Sequence, residues 1–125
     1  MSNSKPAWEL NPELKELADL GDGPAVAEIL RGFLDDAEHQ IRRAEDAMRS
    51  EDCESLKFVA HTLSGSAATV GLNEFSEVAR QLQLLANAHK ISESHEYLTS
   101  LREKLPSAKL ALSETINELA PGSVK

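Results

Sequence analysis

Apolar residues recur every three or four positions through most of this chain, and no segment alternates apolar with polar residues. Because an α-helix turns about 100° per residue, this spacing gives each segment one apolar stripe and argues against half-buried strands. The connections between the segments are short, so successive helices should be antiparallel. The chain is therefore predicted to be all-α, an antiparallel up-down four-helix bundle with helices at about residues 24–49, 53–70, 74–89 and from 92 or 94 to 120.

A short additional helix is expected before the bundle, laid across one of its ends. Asn11 followed by Pro12 is a common helix start, and residues 21–24, Gly-Asp-Gly-Pro, should end this helix near Leu20. Trp8 and Leu10 are the apolar residues that could dock it. The predicted organisation is an N-terminal tail, one bundle domain and a C-terminal tail, at residues 1–10, 11–120 and 121–125.

Several helix ends can be assigned from single residues. Asp52 is a suitable N-cap for the third helix, and Gly71 should end it in the left-handed conformation. Asn73 is expected to cap the fourth helix. Pro106 lies inside the last helix, where it removes a hydrogen bond, but the apolar register continues across it. One kinked helix is therefore expected rather than two helices.

Composition excludes several classes of function. The formal net charge of −8 disfavours nucleic acid and anionic membranes as partners. A single cysteine, Cys53, rules out an internal disulfide, and neither a signal peptide nor a membrane-spanning run is evident. A cytoplasmic protein is expected. Because the core uses the one apolar stripe of each helix, the chain is expected to be a monomer.

One histidine is placed where a core residue would not be. On the third helix, His61 falls opposite an apolar stripe formed by Leu56, Val59, Leu63, Ala67 and Val70. Gly65 follows one turn later, although a glycine inside a helix costs about 1 kcal/mol relative to alanine. Such a glycine would let another macromolecule approach the imidazole closely. The alternative is a tolerated glycine beside an incidental surface histidine.

Residues 61–67, His-Thr-Leu-Ser-Gly-Ser-Ala, followed by Val70 and Gly71, resemble the motif of the histidine-containing phosphotransfer (HPt) domain of bacterial phosphorelays. Residues 20–22, Leu-Gly-Asp, and 29–34, Ile-Leu-Arg-Gly-Phe-Leu, are similar to the family's second-helix entry and its Phe-Leu segment. The resemblance covers about residues 14–119. It implies a carrier that takes a phosphoryl group from the aspartate of one response-regulator receiver and passes it to another.

By this resemblance His61 is the phosphoryl acceptor, and it needs an exposed imidazole that is neutral at its attacking nitrogen. The receiver supplies the magnesium ion and a lysine, so no cofactor or metal is expected on this chain. The domain is then a phosphocarrier without autonomous catalysis. Its expected partners are receiver domains and a hybrid sensor histidine kinase.

The chain departs from the family pattern at Ser64, where a lysine is usual. Lys57, one turn before His61 on the same face, could partly supply the missing charge, and Ser64 could give a hydrogen bond to the phosphoryl oxygens. Gly65 would give access to the imidazole. The receiver is expected to contact Phe58, Ala68, Leu72 and Arg42, with Arg43 and Arg49 nearby. For Phe58, Ala68 and Leu72 ordinary packing at the edge of the core is an alternative.

Three other interpretations remain open at this stage: a hydrolase, a purely structural bundle and an adaptor that binds receivers. A hydrolase would use Ser64 or Ser66 as its nucleophile and His61 as its base, but no third catalytic group or oxyanion hole is suggested. A bundle that is purely structural, or an adaptor that binds receivers without relaying, would not need His61. A zinc site is disfavoured, because no two histidines are spaced i,i+4 on one helix.

Overall fold

The computed structural model describes residues 8–121. It contains α1 (Pro12–Leu17), α2 (Gly23–Arg49), α3 (Cys53–Val70), α4 (Asn73–Asn87) and α5 (Ile91–Leu119). α2 packs on α3 and α5, and α4 packs on the same two helices, so the four long helices close into a bundle. The antiparallel four-helix fold and the short N-terminal helix were predicted from the sequence and are confirmed. No helix within residues 8–121 combines the length and apolarity that a membrane span requires.

Leucine and alanine fill most of the core, as the low aromatic content requires. The largest fully buried side chains come from all four long helices and are mainly leucines: Leu30, Leu56, Leu63, Leu82, Leu101 and Leu112. Phe33 of α2 and Phe75 of α4 meet edge to face, with ring centroids 5.9 Å apart. Burial of these side chains supplies the main driving force for folding.

The helix ends agree with the sequence in most places. The Asp52 carboxylate accepts a hydrogen bond from the Ser55 amide at 3.1 Å and caps α3. A further bond from the Ser55 hydroxyl contributes most to lowering the pKa of Asp52 below its ordinary value. Gly71 ends α3 with φ 94°, as predicted. The expected cap of α4 is displaced by one residue, because Leu72 occupies the N-cap position and Asn73 is already helical.

The largest differences from the sequence prediction lie at the first helix. α1 ends at Leu17, and residues 18–22 form a kinked connection that leads directly into α2. Gly21, with φ 99°, makes the bend that was expected there.

α5 runs as one helix through Pro106 and begins at Ile91, slightly earlier than predicted. The apolar register across the proline was therefore a valid indication of continuity.

Residues before α1 are packed on the bundle and are not part of a tail. Trp8 is 8% exposed, and its Nε1 donates a hydrogen bond of 2.8 Å to the carbonyl oxygen of Val70. Asn11 accepts from the Glu13 amide, which caps α1, and its Nδ2 donates to the carbonyl oxygen of Ala68 at 3.3 Å. The packed unit thus includes residues 8–10, which the predicted boundary at residue 11 left out. The rest of the predicted tails, residues 1–7 and 122–125, lies outside the described residues.

Gly71 is needed for this packing as well as for its backbone angle. A Cβ on Gly71 would collide with the carbonyl oxygen of Glu9 and lie 2.8 Å from the amide nitrogen of Asn11. The left-handed conformation would also strain any other L-residue. A glycine at this position therefore lets residues 8–11 cross directly over the end of α3.

Candidate functional site

α3 presents one exposed stripe on the side of the helix away from the core. Phe58, His61, Gly65 and Ala68 recur along this stripe at helical spacing, and each of them is exposed. α2 flanks the stripe on one side and α4 on the other, since both helices pack against α3. We call these four residues the α3 stripe.

His61 lies in the middle of the α3 stripe, as the sequence predicted. Its imidazole is exposed, and it forms no hydrogen bond or ion pair with any residue in the described range 8–121. The opposite face of the same helix holds Leu56 and Leu63, which are 0% and 1% exposed and fix the rotation of α3 in the bundle. The ring is therefore held at the surface by the burial of its neighbours, with its nitrogens open to an incoming group.

Packing within residues 8–121 does not require a glycine at position 65. A Cβ built on it would meet no heavy atom within 4 Å. Because a glycine inside a helix is destabilising, a position with free space would ordinarily favour alanine or a longer side chain. The glycine instead leaves the surface beside His61 flat over about one helical turn.

Gly65→Gln is expected to stabilise the fold and to impair docking of a protein partner. Helix propensity should raise the free energy of unfolding by about 0.5–1 kcal/mol. A long side chain beside His61 should lower the rate of transfer from a receiver by about tenfold or more, because a steric clash acts against the partner. Urea denaturation and a receiver-dependent phosphorylation assay measure the two effects.

Gly32 offers a matched control on α2, since it is also exposed and helical with no heavy atom within 4 Å of a built Cβ. Gly32→Gln should give a similar gain in stability without the loss in transfer. Equal losses of transfer in the two variants would contradict a local role for Gly65.

Ser64 does not stand where the sequence suggested. Its side chain is half-buried, and its Oγ donates to the carbonyl oxygen of Ser76 at 3.1 Å. The Ser76 hydroxyl in turn donates to the carbonyl oxygen of Ser64 at 2.8 Å. This reciprocal pair joins α3 to α4, and it engages the hydroxyl that was predicted to contact phosphoryl oxygens. The hydrolase interpretation would need the hydroxyl of Ser64 or Ser66 as its nucleophile, and in this structure the Ser64 hydroxyl is engaged by Ser76.

Lys57 lies on the α4 side of α3, one turn before His61. Its Nζ is 3.4 Å from Oδ1 of Asn87 and 3.7 Å from a carboxylate oxygen of Glu54. The ammonium group is thus engaged by an amide on α4 and a carboxylate on its own helix. It remains a nearby positive charge, but it is not held at His61.

The basic residues of α2 are divided between two faces, which the sequence did not reveal. Arg42 pairs with Glu38 at 3.7 Å and lines a surface cavity with Pro106 and Lys109 of α5. Arg49 also lies on the α5 side, next to His95 and Thr99. These two residues were predicted to border the partner, and the structure places them on the α5 side of α2.

Arg43 lies on the side of α2 that faces α3. It lines a surface cavity together with Ser55 and Phe58 of α3. Phe58 is 66% exposed, so it contributes a large apolar surface at one end of the stripe. The packing alternative for Phe58 is therefore not supported.

Leu72 was also assigned to the partner surface, and the structure corrects this. It is 7% exposed and lies next to Trp8 and Phe75 at the bundle end. It follows the left-handed Gly71, beyond the end of α3, and its burial agrees with the alternative of ordinary packing at the edge of the core. Ala68, by contrast, is exposed on the α3 stripe.

The register of α4 against α3 indicates which α4 residues lie at the level of His61. Ser76 meets Ser64, and Asn87 meets Lys57, so the α4 residues between these contacts face the part of α3 that holds His61. Arg80 and Gln83 are the residues on the α3-facing side there, one and two turns after Ser76. Sequence analysis missed both, because each looks like an ordinary polar position of an amphipathic helix.

Within residues 8–121, no group of three or more histidine, cysteine, aspartate or glutamate side chains could hold a metal ion. His39, His89 and His95 are exposed and lie on three different parts of the surface: α2, the α4–α5 connection and α5. The chemistry that the described site can offer is therefore that of a single exposed imidazole on a helix surface.

Comparisons with known proteins agree with this arrangement. A family model described as the Hpt domain matches residues 28–120. The sensory/regulatory protein RpfC of Xanthomonas campestris pv. campestris is 32% identical over 110 residues, which make up 87% of this chain and 15% of RpfC. The chain thus spans only a small part of the length of this relative.

Two solved structures show the same fold. Histidine-containing phosphotransfer protein B (HptB) from Pseudomonas aeruginosa superposes with a TM-score of 0.80 at 15% identity, over 92% of this chain and 98% of HptB. The HPT domain from the Hpt sensor hybrid histidine kinase of Shewanella gives a TM-score of 0.72 at 15% identity, over 89% and 96% of the two chains. The family model, which matches most of the chain, shows that this chain belongs to the Hpt domain family, the histidine phosphotransfer intermediates of two-component phosphorelays.

Proposed function

We propose that His61 is the phosphoryl acceptor of this relay protein. One observation carries the proposal: His61 is an exposed imidazole without a partner in the described chain, beside a glycine that packing does not require. Its donor would be the phosphorylated aspartate of one receiver domain, and its acceptor the aspartate of another. The engaged hydroxyl of Ser64 leaves the imidazole as the nucleophile.

The transfer is a displacement at phosphorus. A neutral ring nitrogen of His61 attacks, the new nitrogen–phosphorus bond forms, and the bond to the donor aspartate oxygen breaks, which leaves a free carboxylate. The other ring nitrogen keeps its proton, so the product is a phosphorylated imidazolium. The carboxylate of the second receiver then attacks the phosphorus, the nitrogen–phosphorus bond breaks, and neutral imidazole is regenerated. A loose transition state of this kind depends mainly on positioning and charge neutralisation.

The rest of the assignment follows from this role. The α3 stripe forms the centre of the docking surface, with Phe58 and Ala68 on either side of His61 and Arg43 at its edge. The receiver supplies the magnesium ion and a lysine, so the chain acts as a carrier without autonomous catalysis and holds no cofactor. A hybrid sensor histidine kinase is the proposed source of the phosphoryl group. The protein is proposed to act as a monomer in the cytoplasm.

A two-step transfer experiment tests the proposal. A receiver that carries a radioactive aspartyl phosphate should pass its label to the chain, and an unlabelled second receiver should then remove it. The label on the chain should be lost in acid and kept in base, as a phosphorus–nitrogen bond requires. A chain that binds receivers but never becomes labelled would instead be an adaptor, and this result would overturn the proposal.

A further inference from the structure

The position that usually carries a lysine near the phosphorylated histidine holds Ser64 in this chain, and its hydroxyl is bound to Ser76. Lys57, the nearest lysine on α3, is engaged by Asn87 and Glu54. A group with about two negative charges would therefore form beside His61 on a chain whose net charge is −8. The site needs a cation, and α3 does not place one there.

α4 supplies a cation at the right height. Ser64 and Ser76 are in direct contact and fix the level of α4 against α3. The two helices are antiparallel. The step of four residues forward from Ser76 to Arg80 and the step of three residues back from Ser64 to His61 therefore run in the same direction along the bundle. At 1.5 Å per residue these steps are about 6 and 4.5 Å, so Arg80 and His61 lie at nearly the same level.

The side chain of Arg80 is available for such a contact. It is 54% exposed and pairs with Glu77 of its own helix, with nitrogen–oxygen distances of 3.3 and 3.4 Å. Exposed pairs of this kind are weak and easily exchanged. A phosphoryl group carries more charge than one carboxylate and matches the planar guanidinium with two parallel hydrogen bonds.

We propose that Arg80 contacts the phosphoryl group on His61 and provides the positive charge that Ser64 does not. This inference rests on the proposed role of His61. In the unphosphorylated chain Arg80 stays with Glu77, and it turns to the phosphoryl oxygens as the nitrogen–phosphorus bond forms. The charge that accelerates transfer thus comes from α4, although the acceptor belongs to α3.

Rates of phosphorylation by phosphoramidate, a small donor that needs no protein docking, test this proposal. Arg80→Gln should slow the reaction of His61 by about tenfold, because it removes a charged hydrogen-bond donor from the transition state. Arg80→Lys should retain most of the rate, and Lys57→Gln should have a smaller effect than Arg80→Gln. Arg102→Gln, the same chemical change on α5, is the matched control and should react at the normal rate.

Added salt separates a charge effect from a change in structure. The rate of the wild-type chain should fall as salt screens Arg80, whereas the rate of Arg80→Gln should depend less on salt. The double variant Arg80→Gln/Ser64→Lys should regain rate, since it restores a cation one turn from His61. A similar melting temperature for all variants would show that the fold is kept.

Two failures can be distinguished. If the wild-type chain reacts at His61 but Arg80→Gln reacts equally fast with phosphoramidate, Arg80 does not contact the phosphoryl group and this inference is wrong. A slowing confined to transfer from a receiver would also overturn it, because Arg80 would then be a docking residue. If His61 is never phosphorylated, the proposed function itself fails.

Discussion

His61→Gln is expected to abolish phosphoryl uptake from both a receiver and phosphoramidate. Glutamine is polar and of similar size but has no ring nitrogen to attack phosphorus, so no covalent intermediate can form. The exposed position of His61 means that stability should change by no more than about 0.5 kcal/mol. Radioactive transfer assays and thermal melting of the same samples measure the two effects.

His39→Gln is the control for this experiment. His39 is also an exposed histidine on a long helix, but it lies on α2 and outside the α3 stripe. Its variant should be labelled as fully as the wild-type chain. Labelling of His61→Gln, or loss of labelling in His39→Gln, would assign the acceptor to another residue.

Trp8→Ala is expected to have the largest effect on stability. Trp8 is 8% exposed and closes the end of the bundle over Leu72, and its indole satisfies the carbonyl oxygen of Val70 at the end of α3. Removing a buried tryptophan side chain commonly lowers the free energy of unfolding by about 3–5 kcal/mol. Total stabilities are about 5–15 kcal/mol, so much of the margin would be lost. Urea denaturation followed by circular dichroism measures this without relying on tryptophan fluorescence.

Trp8→Phe separates the two contributions of this residue. Phenylalanine keeps most of the apolar contact but leaves the Val70 carbonyl without its donor, so a smaller loss of about 1–3 kcal/mol is expected. If Trp8→Ala lowers stability by less than about 1 kcal/mol, residues 8–11 contribute little to the fold, and placing them in the packed unit would be wrong.

The sequence predicts the helices well because each apolar stripe is a local property. Periodicity located all four long helices and carried α5 through Pro106, and single residues such as Asp52 and Gly71 marked ends. The packing of Trp8 against Val70 joins residues 62 positions apart and cannot be derived from local spacing. Leu72 was misplaced for a related reason, since its burial depends on a turn and on the segment that crosses it.

The sequence predicted those parts of the candidate site whose positions depend on α3 alone. His61 and Gly65 share the outward face of α3, and a helical projection of that helix alone shows this. Arg42 and Arg43 are adjacent in sequence but lie on the α5 and α3 sides of α2. Choosing between the two sides requires the handedness of the bundle, which periodicity does not contain.

The engaged hydroxyl of Ser64 and the position of Arg80 depend in the same way on how α4 is aligned with α3. The sequence shows both residues on helices, but it does not show which residues of two helices meet. Residues that act from a second helix are therefore the part of this site that only the structure could locate.

The position of the phosphoryl group is the most direct test of the account. The chain, labelled with nitrogen-15, can be phosphorylated by a receiver and its four histidines followed by nuclear magnetic resonance. Only the imidazole nitrogens of His61 should shift and show coupling to phosphorus. Coupling at His39, His89 or His95, or phosphorylation that leaves every imidazole unchanged, would contradict the claim that His61 carries the phosphoryl group.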